Sequence, residues 1–148
     1  VGGPAEPPEE PLLPEIISRD DVEMRGRYVR QWKQADGTVT LLFNGGFELT
    51  FGRRQMSAVD AVVWISPQLD EQGRKFYELT VYLSEKAQVL EPAGTIIEDA
   101  VLLVTNIRTY GKIIKLHDAH SPESLEPTTF YQRAMQDRQL IESGRPSG

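Results

Sequence analysis

Apolar and polar residues alternate at every second position through most of this chain, and the alternation comes in two similar stretches. Residues 39–51 read VTLLFNGGFELTF and residues 79–91 read LTVYLSEKAQVLE. Apolar side chains recur at matching places: Val39 with Leu79, Leu41 with Val81, Phe43 with Leu83, Phe47 with Ala87, and Leu49 with Val89. After one extra residue, Val59, the match resumes with Asp60-Ala61-Val62-Val63 against Asp99-Ala100-Val101-Leu102. Period two puts alternate side chains on one face of a strand. A repeat offset by about forty residues stacks one supersecondary unit on another. The pattern therefore predicts an all-β, mostly antiparallel structure built from repeated hairpins.

Turn signals divide the pattern. A strand over 24–33 leads through Ala35-Asp36-Gly37 into a strand over 38–43. Asn44-Gly45-Gly46 offers either a second turn or a glycine bend inside one long strand. Strands over 47–51 and 56–65 follow, separated by Gly52-Arg53-Arg54-Gln55, with Val59 as a bulge because the second copy lacks it. A loop over 66–75 separates the copies. Strands over 76–84, 87–91, 96–105 and 107–116 complete the set, with a turn at Pro92-Ala93-Gly94.

The two ends differ from this middle. Half of the ten prolines lie in the first fourteen residues beside Glu6, Glu9 and Glu10. Proline holds φ and like charges repel, so 1–20 reads as an extended linker, with Leu12, Leu13, Ile16 and Ile17 clipping onto the domain at 21–120. Beyond 121 a short helix is expected from Thr129 toward Ile141, capped by Thr128, with Phe130, Ala134 and Ile141 near one face. Few apolar anchors mark it, so 121–148 reads as a lead-out with a flexible tail.

At 148 residues and 39% apolar content the chain suits one domain with a sizeable core. Having no cysteine, it can form neither disulfides nor thiolate metal sites. A net charge of −6 disfavours a polyphosphate partner for the chain as a whole. No apolar run reaches the roughly twenty residues of a membrane span. The chain opens on Val1 with no visible signal peptide, so it reads as an excised or processed piece, which leaves room for a lost leader.

Chemistry-bearing patterns are sparse. His117 and His120 flank Asp118, but zinc needs at least a third ligand. Glu98, Asp99 or Glu123 could supply one, yet no spacing demands it, and polar residues leaving a last strand are the preferred reading. No Gly-x-Ser-x-Gly elbow and no acid placed to orient a histidine are present. Gly45 and Gly46 lack the strand-to-helix setting of a phosphate loop. No catalytic residue, metal or cofactor is assigned. Arg25, Arg27, Arg30 and Lys33, interleaved with Tyr28 and Trp32, have the ingredients of a single-strand nucleic-acid platform, as on an OB-like barrel. An edge strand kept soluble by its arginines explains them better in an acidic chain. Trp64 lies in a run apolar on both faces, read as a strand packed on one side and covered on the other.

Phe43-Asn44-Gly45-Gly46-Phe47-Glu48-Leu49-Thr50-Phe51, a short gap, then the run from Met56 to Trp64 resembles the repeating unit of the OstA-like (LptA-like) family of lipopolysaccharide-transport proteins. The second copy departs from that unit, with Ser84-Glu85 at the glycine position and Glu98-Asp99 in place of Ala-Asp. Val59 is an insertion in the first. The resemblance spans roughly 26–116. It implies an open, V-shaped antiparallel β-jellyroll in the periplasm, non-catalytic, whose apolar interior shelters lipopolysaccharide-like acyl chains. The interior nominated on that basis is Leu41, Phe43, Phe47, Leu49, Val63, Val81, Leu83, Val89 and Leu102. Burial of lipid methylenes at about 0.8 kcal/mol each would suffice for binding. The resemblance also implies joining to other jellyroll domains edge to edge, through unpaired strands near 24–32 and 107–116. Arg25, Arg27 and Arg30 on one edge, and Arg108, Lys112 and Lys115 on the other, would make self-association weak and favour an acidic partner edge. A structural β scaffold within a larger envelope protein is the remaining alternative.

Overall fold

Seven strands and a helix follow in order: β1 (Val22–Lys33), β2 (Val39–Phe51), β3 (Arg54–Ala58), β4 (Asp60–Leu69), β5 (Lys75–Leu90), β6 (Ile96–Thr109), β7 (Ile113–His120) and α1 (Thr129–Ser143). The computed structural model describes residues 17–120 and 129–143. The expectations for the linker up to residue 16, its apolar clip at Leu12, Leu13 and Ile16, the Thr128 cap and the tail lie outside those residues, while Ser18, inside the expected linker, exchanges backbone hydrogen bonds with Arg108 and Tyr110. The all-β, largely antiparallel expectation with a short C-terminal helix is met. Consecutive strands pair as hairpins, β1 with β2, β2 with both β3 and β4, β4 with β5, and β5 with β6.

Several boundaries differ from the pattern reading, among them the strand expected over 107–116, which is divided between β6, ending at Thr109, and β7, starting at Ile113. The loop expected over 66–75 is mostly strand: β4 runs to Leu69 and the turn to β5 is closed by Asp70, whose backbone N–H donates to the Arg74 carbonyl. Pro67 is tolerated there because it pairs with Tyr77 beyond Ile65, the last residue of β4 that pairs with β2. The break expected between 84 and 87 is a bulge inside one strand: β5 runs from Lys75 to Leu90 and its register shifts between Ser84 and Ala87.

The strands bend along one line that crosses the sheet. In β1 the register shifts between Gly26 and Tyr28. In β2 the line passes through Gly45 and Gly46, at φ 85° and 105°, so the bend alternative for these glycines is the observed one. Val59 is the bulge between β3 and β4, as expected. In β5 the line passes through Glu85 and Lys86, at φ 69° and 56°. Backbone hydrogen bonds stitch it together: the Gly46 N–H donates to the Val59 carbonyl at 2.8 Å, and the Val59 N–H to the Glu85 carbonyl at 2.9 Å. Bulges sharpen local bending, and a row of them folds the sheet into two wings.

The inner faces of the wings share one core. Met24, Leu49, Met56 and Val89 come from one wing, and Leu41, Val63, Leu79, Val81 and Ile107 from the other, all in a single buried cluster. The fold is closed on one side by a pairing the sequence did not suggest. β1 and β7 are parallel, from Val22 opposite Ile113 to Val29 opposite His120, and Ser18 bridges Thr109. The expected unpaired edges near 24–32 and 107–116 are thus corrected: over most of their length these segments pair with each other or with β5. Gly111 permits this, because a Cβ there would collide with the Asp20 carbonyl. Among the described strands β6 has only β5 as a ladder partner and β7 only β1, so each leaves one margin with a single neighbour.

α1 covers the outer face of the other wing. Tyr131 and Ala134 join Leu42, Val62, Trp64 and Tyr82 in a second buried cluster. Trp64 is therefore covered on both sides, as its apolar run suggested. The sheet-facing side of α1 is half polar, which is why apolar periodicity alone does not reveal that it docks. Asp137 accepts the Tyr82 hydroxyl at 2.6 Å, Arg133 donates to Ser84 Oγ at 3.2 Å, and the Arg138 guanidinium lies 4.5 Å from the centre of the Trp64 ring. Ile141, expected on the inward side, is half exposed.

Candidate functional site: the apolar interior and its margin

Ladder partners in a sheet share a face, so the interior can be read as rows across the strands. One row is Leu41, Val63, Val81, Val104; the next is Phe43, Ala61, Leu83, Leu102. Across the bend lies Met24, Leu49, Met56, Val89, Ile97. The nine nominated residues all fall on this inner face, and eight of them are 0–4% exposed within one cluster. Leu102 is half-buried against the same cluster. The same period-two signal marked Val22, Met24, Met56, Ala61, Ile65, Leu79 and Ile107, which the nomination omitted and which are buried beside them.

Burial falls away at the end of each row. Along β6 the inner residues change from buried Ile107 through half-buried Val104 and Leu102 to Asp99 and Ile97, which are exposed, Ile97 at 42%. Ile96 and Ile97 are thus large apolar side chains standing at the margin where β6 has a neighbour on one side only. Elsewhere the interior is sealed by its own side chains: Phe43 and Phe47 lie with ring centres 4.9 Å apart across the bend. No ionisable group lies in that buried core cluster.

The other sequence candidates are dispersed. Trp32 meets Tyr131 edge to face at 5.0 Å and is half-buried, so the stacking platform loses one of its two aromatic rings to α1. Tyr28 remains 44% exposed with the Arg27 guanidinium 5.5 Å from its ring centre. Among the described residues no group of three or more His, Cys, Asp or Glu side chains gathers to hold a metal. The side chains of His117, Asp118 and His120, and all of Glu123, lie outside the described part. No described helix is long and apolar enough to cross a membrane.

Two networks hold the frame around the interior. Burial and the Asp137 carboxylate raise the Tyr82 hydroxyl pKa, so Tyr82 stays a hydrogen-bond donor to α1. At the β4–β5 turn, Asp70 accepts the Tyr110 hydroxyl at 2.7 Å and the Arg74 Nε at 2.9 Å. The Tyr110 hydrogen bond, with those of Arg74 and Gln72, lowers its pKa from 3.8 to about 2. No family model, no curated protein and no solved structure matches this chain.

Proposed function

We propose that this domain is a non-catalytic lipid-binding or lipid-conduit module of the cell envelope, acting in the periplasm as the OstA-like resemblance implies. The observation that carries the reading is the loss of burial along the inner rows toward β6. An interior continuous across both wings, apolar in its buried part, ends at a margin where Leu102, Val104, Asp99 and Ile97 meet solvent beside an unpaired strand edge. Acyl methylenes entering there gain about 0.8 kcal/mol each on leaving water, with no need for polar recognition. The same margin offers backbone groups to a strand of a neighbouring β domain, so a conduit would be extended by edge pairing at β6. With Glu98 and Asp99 on that strand, a basic partner edge complements it.

A structural scaffold is the second reading, favoured by the near-complete sealing of the rest of the core. An acyl-chain fluorophore distinguishes the two. The intact protein is expected to take up the probe with blue-shifted emission, and Leu102→Asp to lose uptake while keeping its β-sheet dichroism, because the change falls at a half-exposed position. A folded parent protein that takes up no probe would leave the scaffold standing.

A further inference from the structure

A groove of about 830 Å³ runs along the bulge line on the outer side of the sheet. Gly45 and Gly46 line it; a Cβ on Gly46 would meet nothing within 4 Å, whereas one on Gly45 would press against the Arg27 side chain at 3.3 Å. Cations stand round it: Arg25 and Arg27 from β1, and Lys86 from β5. In a chain of net charge −6, three cations at one concavity against a single acid, Glu48, make a local field opposite to that of the whole molecule.

None of the three is used up by the fold. Arg27 touches the Tyr28 ring, and neither it nor Lys86 has a carboxylate partner among the described residues. Arg25 reaches Glu23 only at 3.8 Å, with both side chains exposed, a pair worth little. Cations that guard a strand edge are common, but Lys86 is not at an edge: β5 has β3 and β4 on one side and β6 on the other. Lys86 is also held at φ 56° beside Glu85 at φ 69°. A left-handed non-glycine residue costs about 1–2 kcal/mol, and two in succession inside a strand are a local strain that points to a role for the side chains they aim.

We propose that this groove binds a phosphate-type anion between Arg27 and Lys86, with Ser57 in the lining able to donate a further hydrogen bond; the Gln88 amide already donates to Glu98 at 2.9 Å. Three ladder steps of about 4.8 Å separate the β1 and β5 backbones, roughly 14 Å, which an arginine and a lysine extended toward each other narrow to the width of a phosphate or diphosphate. Glu48 opposes a weak monoanion, so a doubly charged group is preferred over a carboxylate. Arg25, Glu48, Ser57 and Gln88 alternate along their strands with inward-facing Met24, Leu49, Met56 and Val89, so these polar side chains lie on the opposite face of the sheet from the apolar interior.

Titration calorimetry of the full chain with inorganic pyrophosphate at constant ionic strength tests the groove itself. Flotation with phosphatidylcholine vesicles, plain or doped with phosphatidic acid, tests the same chemistry on a lipid headgroup. Lys86→Gly suits the left-handed backbone and leaves the fold intact, as a thermal melt would verify. Arg27→Gln is the second variant, and Lys112→Gln, outside the groove, the control. Each groove variant is expected to weaken pyrophosphate or doped-vesicle binding by about tenfold, the loss of one charge-assisted contact, with the control unchanged. Pyrophosphate binding alone identifies a soluble phosphorylated ligand; doped-vesicle binding identifies a headgroup. Both support the proposal. It is overturned if neither probe binds, if plain vesicles bind equally, or if the control variant weakens binding as much as the groove variants.

Discussion

Lys86 adopts in the second repeat the left-handed backbone conformation that Gly46 adopts in the first, at φ 56° and 105°. Glu85 likewise corresponds to Gly45. The repeat is therefore closer in backbone than in sequence, and the second copy holds with side chains a geometry that the first holds with glycine. Replacing Glu85 or Lys86 by Gly should relieve the clash of Cβ with the backbone and stabilise the domain by about 0.5–1 kcal/mol after the entropy cost of glycine. Gly46→Lys should cost about 1–2 kcal/mol. Urea denaturation of the three variants checks the signs, and a destabilised Lys86→Gly would refute the strain.

The bend line shows how far the sequence could be read. Period two placed the nine nominated residues on one face, because alternation survives any bend that inserts residues in register across neighbouring strands. Val59 was legible as a bulge because one copy lacks it. At Glu85 and Lys86 the alternation shows an interruption between 84 and 87, but not its form, since nothing about a glutamate and a lysine signals a left-handed backbone. The β1–β7 pairing was invisible for another reason: parallel contact between distant segments leaves no local pattern, and Gly111 at the close approach to Asp20 looks like any turn glycine. The docking of α1 escaped because Arg133, Asp137 and Arg138 carry much of it, and a search for apolar periodicity does not count them.

Removing the ring that joins α1 to the sheet should expose the outer cluster. Tyr131 packs on both Trp32 and Trp64, with ring centres 5.0 and 6.5 Å away. Tyr131→Ala is expected to cost roughly 3 kcal/mol and to shift tryptophan emission to the red as Trp64 meets water. Unchanged emission would mean that the helix does not shield this face in solution.

Acid stability should depend on Asp70. Its folded pKa is lowered from 3.8 to about 2, so its contribution is fully present above 3.8 and is lost as pH falls toward 2. The Tyr110 hydroxyl is the largest cause. Tyr110→Phe should therefore flatten the fall in melting temperature across that window while lowering stability at neutral pH. A parallel pH profile for the two proteins would show that Asp70 is not titrating with the fold.

The most direct test of the lipid account is mass spectrometry of an organic extract from the protein purified without detergent from a host with a lipopolysaccharide-containing envelope. The account expects acyl-chain lipid in the extract, carried by folded protein and reduced in Leu102→Asp. Folded protein that yields no lipid, or a yield unchanged by that substitution, would contradict it.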